Sequence, residues 1–421
     1  MIFKNNANLL FKKRMRVIFF NLNRLSYEGG AENYMSDTAN EMYRRGHEVY
    51  YVGDYRLLLN IYVTLATLIG ASSWSDTKRA HKVLKTQPTL RAANEKKIKP
   101  WHLTSACFFP FTQKRRQTKE LLQSADMVFV KNEVFEMWTI NWLTRRVRKS
   151  LILFSSLIYP NAKTFRAKLH NVFYTSWIYR VLLEGYRYLI VSNDLDKKFL
   201  IKKMHRPQSQ IKKIPYGLKE GDFQKIGEPR NSSQFKILFA GRFEEQKGID
   251  YLEKIISTLI DNDDFANISF TIAGDGSGKV PIERLASKSD QVDYVGLVPK
   301  EKMNKLYNKH DLVIITSRWE TFCYTCLEAQ SCGIPVVSFD VSGPNEMITD
   351  KKTGRLIKPG DIDAFIEAIK NMYKLKFQDP TAFRKMKAAA QTKMKSLFSL
   401  NKVADNLEKI ANEKNNESTK Y

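Results

Sequence analysis

Residues 312–335, LVIITSRWETFCYTCLEAQSCGIP, constrain the fold more than any other stretch. Leu312–Thr316 is an apolar, β-branched run of the kind that forms a buried strand. Ser317–Phe322 reads as a short loop. A compact helix, roughly Cys323–Ser331, is stopped by Gly333 and Pro335. Val336–Phe339 reads as the next strand. This order puts a helix N-terminus at the C-terminal edge of a parallel sheet, where open α/β sheets bind ligands. Unpaired N–H groups and the helix dipole suit a phosphate there. Glu320 in the loop and Glu328 on the helix have the wrong charge for phosphate. A carboxylate accepts hydrogen bonds from paired hydroxyls, so sugar and ribose fit. Taken singly, each also reads as an ordinary solvated glutamate.

The chain of 421 residues is long enough for two domains. Its formal net charge is +25, and the excess is one-sided. Residues 1–230 hold 41 Lys+Arg and 18 Asp+Glu, whereas the remainder holds 28 and 26. A basic first half points to an anionic partner surface such as lipid headgroups, nucleic acid or an acidic acceptor. No single-strand stacking motif or groove-reading helix stands out, so nucleic acid is not expected.

Cys107, Cys323, Cys326 and Cys332 do not make a disulfide framework in a chain of this length. The lone C-x-x-C at Cys323 and Cys326 lacks the second pair of a structural zinc site. Free thiols suggest the cytoplasm. No signal peptide is evident, and no run reaches the 18 or so apolar residues of a membrane span. Leu57–Ala71 comes nearest; it reads as an interfacial segment or a buried helix.

Met15 begins a strand, MRVIFFNLN, after an extension of residues 1–14. The turn carrying Gly29 and Gly30, a helix from Ala31 to about Arg45, and the strand Glu48–Val52 complete a βαβ start. Paired glycines let a ligand approach the backbone. Residues 54–122 read as helices and a loop that cover one side of the first domain. Asp126–Val130, Leu151–Phe154 and Tyr188–Ser192 read as further strands. The first domain is expected over 15–225 and a linker over 226–234. The second domain is expected over 235–397. It opens with the strand KILFA, then Gly241, Arg242 and Lys247, placing two cations at the strand's C-terminal edge. A helix near 398–412 is expected to cross back, with 411–421 frayed.

The motif W-E-T-F-C-Y-T-C-L-E-A, with A-G-R-F-E-E-Q-K-G and A-G-D-G ahead of it, resembles the retaining glycosyltransferases of the GT-B fold, the group 1 type. Y-E-G-G-A-E and K-K-I-P-Y-G in the first half are weaker echoes of the same family. The resemblance covers roughly Phe235–Tyr373. It implies an α/β protein with two Rossmann-like domains facing a central cleft. It implies that Glu320 contacts the donor sugar and Glu328 the nucleotide ribose. Arg242, Lys247, Gly241 and the helix start at Phe322, Cys323, Tyr324 and Thr325 would face the diphosphate, with Gly29 and Gly30 opposite. Two departures stand out. Cys323 replaces the family's usual glycine and narrows the sugar space. Phe154-Ser155-Ser156 stand where many relatives carry a histidine.

The expected activity is transfer of a sugar, with retention, from a nucleotide-sugar donor to a hydroxyl of a cell-surface polysaccharide or lipid-linked saccharide. The nucleotide sugar is a substrate, and no cofactor or metal is expected. Asp361 and Asp363 spell D-x-D but sit at a helix start. The expected location is peripheral on the inner face of the membrane, against its anionic surface. A nucleotide-sugar epimerase and a non-catalytic membrane-binding module on the same fold are the alternatives.

Overall fold

The computed structural model describes residues 14–21, 30–53, 99–102, 113–144, 151–155, 165–227 and 233–417. Gly29, Cys107, Ser156 and the Leu57–Ala71 run lie outside them, as does nearly all of the 1–14 extension.

Among the described residues, seven parallel strands form the first sheet. They are β1 (Arg16–Phe20), β2 (Glu48–Gly53), β3 (Lys99–His102), β4 (Met127–Lys131), β5 (Leu151–Ser155), β6 (Tyr188–Val191) and β7 (Ile211–Lys213). Their order is β3-β2-β1-β4-β5-β6-β7. The edge strand β3 was not expected; its short KPWH sequence has no apolar alternation and is defined by pairing with β2. The second sheet contains β8 (Phe235–Ala240), β9 (Ile268–Ala273), β10 (Val292–Gly296), β11 (Leu312–Ile315), β12 (Val336–Phe339) and β13 (Gly354–Ile357). Its order is β10-β9-β8-β11-β12-β13, again parallel. β11 and β12 are buried along their whole length, as strands of a parallel sheet covered on both faces must be. Each sheet reverses its winding once, between β1 and β4 and between β8 and β11. These switch points open crevices at the strands' C-terminal ends.

The two domains share a core. Phe19 and Tyr34 of the first pack in one apolar cluster with Phe322 and Leu327 of the second. Tyr216 stacks on Tyr34, centroids 4.3 Å apart, and lies 4.4 Å from Phe322. The chain crosses between domains near Leu218, whose N–H donates to Phe398 O at 3.0 Å while Leu400 N–H donates to Leu218 O at 2.9 Å. The expected linker 226–234 lies beyond this crossing. Residues 224 and 226 already bond Asn304 and Asn308 of the second domain.

The last helix, Leu400–Glu417, lies on the first domain. Glu408 pairs with Arg45 and His47, and Glu413 with Lys212 at 3.0 Å. The tail expected to fray from Ala411 therefore stays helical to Glu417. Ala411 is buried and Glu413 is anchored, neither of which composition alone reveals. Among the described residues, no helix is long and apolar enough to cross a membrane.

Candidate active site

β8 and β11 end side by side at the second domain's switch point. The loops after them are laced together. Arg318 N–H donates to Gln246 O at 2.8 Å, Gln246 Nε2 to Trp319 O at 3.1 Å, and Thr316 Oγ1 to Lys247 O at 2.7 Å. Arg318 also pairs with Asp250 and stacks over Tyr251, 4.3 Å from its ring centre. Gly248 makes this contact possible. Its φ is +61°, and a Cβ there would meet Thr316 O at 2.2 Å. Gly274 does the same on the other side, since a Cβ would lie 1.8 Å from Gly241 O.

The lacing drives Lys247 against Glu320, with Nζ 2.5 Å from Oε1. Ser317 Oγ donates to the same oxygen at 2.7 Å. Glu320 is 8% exposed. Burial opposes charge on Lys247, but Glu320 holds its ammonium above the ordinary range. The pair is largely buried, with 16% of the Lys247 side chain and 6% of the Glu320 side chain exposed.

Just beyond lies the helix Tyr324–Ser331, one residue shorter at its start than expected. Cys323 is its N-cap with φ +72° and ψ +78°, in the left-handed region. This conformation costs a non-glycine residue about 1–2 kcal/mol. It also supplies a physical reason for glycine at the matching family position. The Cys323 and Cys326 thiols are buried, and burial pushes both upward, so thiolate is scarce. The helix carries no side-chain N-cap, which leaves its first N–H groups to a ligand or solvent. Thr325 Oγ1 donates to Ala240 O at 3.2 Å and ties the helix to the end of β8.

Glu328 is on another face of the same helix. Its Oε2 accepts from the Tyr307 hydroxyl at 2.8 Å. Burial pushes its carboxyl up to about 7, against the opposing pull of Tyr307 and the Lys300 charge. Lys300 also reaches Asp37 of the first domain at 3.5 Å.

The sequence-derived candidates therefore divide. Lys247, Glu320, Gly241, Cys323 and Thr325 converge on the ends of β8 and β11. Arg242 stands on the rim, 57% exposed, with its guanidinium 3.3 Å from Glu244. The Phe322 ring is buried between Tyr216 and Phe398, and Tyr324 packs beside it. The Phe322 ring is thereby enclosed, whereas Tyr324 is only partly buried. Gly30 is the first residue of the helix Gly30–Arg44. Phe154 and Ser155 are in β5. Asp361 caps a helix, accepting from Ala364 N at 3.0 Å, as its position after Pro359-Gly360 suggested. Sequence reasoning missed Ser317, Tyr307 and Gln246. Only Ser317 had a local signal, three residues before Glu320.

A second contact closes the cleft from the first domain. Asn193 Nδ2 donates to Thr321 O at 2.9 Å. Asp194 N donates to Glu346 Oε1 at 2.7 Å, and Lys213 Nζ lies 2.7 Å from Glu346 Oε2.

Residues 220–392 match the family described as Glycosyl transferases group 1. A 41.2 kDa protein in the cps region of Klebsiella pneumoniae is 34% identical over 134 residues, 32% of this chain and 36% of its own length. The UDP-Gal:alpha-D-GlcNAc-diphosphoundecaprenol alpha-1,3-galactosyltransferase of Escherichia coli is 27% identical over 194 residues, 43% of this chain and 50% of its own. The chain thus matches between about a third and a half of the length of these two curated relatives. The solved structure of Anabaena Alr3699/HepE in complex with UDP and glucose superposes with a TM-score of 0.67 at 15% identity, covering 94% of this chain and 99% of that one. At that identity the likeness establishes the fold, which is GT-B.

Proposed function

We propose that this chain, whose residues 220–392 match the glycosyl transferases group 1 family, transfers a sugar from a nucleotide-sugar donor to a hydroxyl of a saccharide or lipid-linked acceptor. One observation carries the reading: the Lys247–Glu320 pair stands at the switch point, beside the uncapped N-terminus of the helix that also bears Glu328. In this reading the diphosphate lies against that helix start and Lys247, with Arg242 swinging in from the rim. A surface ion pair such as Arg242–Glu244 is worth at most about 1 kcal/mol, so the guanidinium is readily recruited. As the sugar bond breaks, negative charge grows on the diphosphate and these fixed donors stabilise it. Lys247, drawn to phosphate, frees Glu320 to accept from sugar hydroxyls. Glu328 accepts from the ribose. Positioning and charge stabilisation suffice, because diphosphate needs little help to depart. The anomeric configuration is retained, no metal is used, and the basic first half faces an anionic membrane on its cytoplasmic side.

The test is to incubate the protein with a panel of nucleotide sugars, with and without EDTA, and follow nucleoside diphosphate release. Release from one donor that survives EDTA supports the reading. Conversion of the sugar with the nucleotide still attached would make the protein an epimerase. No turnover of any donor, together with no binding of any nucleotide, would contradict the reading.

A further inference from the structure

We propose that the helices Phe165–Thr175 and Trp177–Leu183 form the surface on which the protein sits on an anionic lipid bilayer. The inference rests on the reading of the chain as a transferase with a membrane-borne acceptor, and it names the face that meets the membrane.

Phe165, Leu169 and Val172 recur at i, i+4 and i+7, the spacing of a core-facing stripe. Here that stripe faces solvent: Phe165 is 78% exposed and Val172 64%. Trp177, 73% exposed, continues it with Ile178 and Val181 on the next helix. The opposite faces are pinned inward. The Tyr174 hydroxyl donates to Asn132 O at 2.9 Å and the Tyr179 hydroxyl to Asn132 Oδ1 at 3.0 Å. Rolling the helices to hide the apolar stripe would break both bonds, so the fold presents it outward.

Scattered apolar residues on a surface need no explanation, but six of them exposed on two consecutive helices do. Their surroundings select the occupant. Lys168 and Arg180 are exposed on the same helices. The two helices, residues 165–183, hold three Lys+Arg and no Asp or Glu. Protein interfaces are poor in lysine, whereas apolar and aromatic side chains ringed by cations suit the boundary between anionic headgroups and acyl chains. The long basic side chains can lie along apolar surface and keep their charge at headgroup level. The helices follow β5 in the chain, so these residues belong to the expected acceptor domain.

The experiment floats the full chain with phosphatidylcholine vesicles and with mixed phosphatidylcholine–phosphatidylglycerol vesicles, at low and high salt. It compares the wild type with Leu169→Glu/Trp177→Glu, two solvent-exposed changes, and follows thermal midpoint, sedimentation and nucleoside diphosphate release from a donor panel. The wild type should float with the mixed vesicles and be weakened by salt. The double variant should bind them roughly a hundredfold less tightly, with midpoint and donor hydrolysis unchanged. Equal flotation of the variant would overturn the proposal. So would a change from dimer to monomer in the variant, which would make these residues an interface between copies. A wild type that hydrolyses donor but never floats would overturn the membrane surface and leave the transferase reading standing. Flotation lost in the variant with no donor turnover in either protein would do the reverse.

Discussion

Lys247 Nζ and Glu320 Oε1 lie 2.5 Å apart although 73 residues separate them in the chain. The ammonium expected to hold phosphate and the carboxylate expected to hold sugar are, without substrate, each other's partner. Removing one leaves the other charge hidden and unpaired, which typically costs about 3–5 kcal/mol. Lys247→Ala should therefore lower both stability and turnover. Adding Glu320→Gln should recover most of the stability and none of the turnover. Denaturant titration of the single and double variants reads this out. A stable, active Lys247→Ala would remove the pair from the site.

Glu328 supplies a pH dependence. Burial raises its carboxyl from 4.5 to about 7, so the folded protein holds a proton that the unfolded chain has released between those values. Stability from this group is thus complete below pH 4.5 and falls as pH rises toward 7. Ribose hydroxyls donate to the ionised form, so nucleotide binding should expel a proton. Affinity should weaken by up to about tenfold per pH unit below 7. Glu328→Gln should flatten both profiles. Calorimetry in buffers of different ionisation enthalpy measures the proton; none released at pH 6 would contradict the assignment.

Cys323 tests the left-handed helix start. Alanine keeps the strain of φ +72° and glycine removes it. Cys323→Gly should be more stable than Cys323→Ala by about 1 kcal/mol. Glycine should also widen the range of donor sugars accepted. Equal stability of the two variants would mean that the backbone relaxes out of this conformation.

Glu346 tests the interdomain clasp. Its carboxylate receives Lys213 and the Asp194 N–H from the first domain. Glu346→Ala should lower kcat/KM for the full reaction while leaving affinity for the bare nucleotide nearly unchanged, because closure rather than nucleotide contact is lost. Stopped-flow binding and steady-state kinetics together check it. A matching loss of nucleotide affinity would place Glu346 in the donor site itself.

The second domain was legible because its strands are short apolar runs and its loops are pinned by glycines with a steric task, Gly248 and Gly274 among them. Strand ends could be read locally, and so the neighbourhood of Lys247, Glu320 and Glu328 could be read too. Their contacts could not. The Lys247–Glu320 pair depends on how two loops lace together, and Glu328 meets Tyr307 from a different helix. The first domain was less legible for a related reason. Phe165, Leu169 and Val172 have the periodicity of a buried face, and periodicity does not say which medium that face meets. The terminal helix misled similarly: the polar composition after Ala411 resembles a loose end, yet Glu413 finds Lys212.

The division of labour between the two glutamates is the most direct test of the site. Nucleoside diphosphate is titrated calorimetrically into the wild type, Glu320→Gln and Glu328→Gln, and donor turnover is measured on the same samples. Glu328→Gln should lose roughly 1.5–3 kcal/mol of nucleotide affinity, the worth of hydrogen bonds to a charged acceptor. Glu320→Gln should bind the bare nucleotide almost normally and lose turnover. Equal loss of affinity in both, or normal turnover in both, would contradict the assignment.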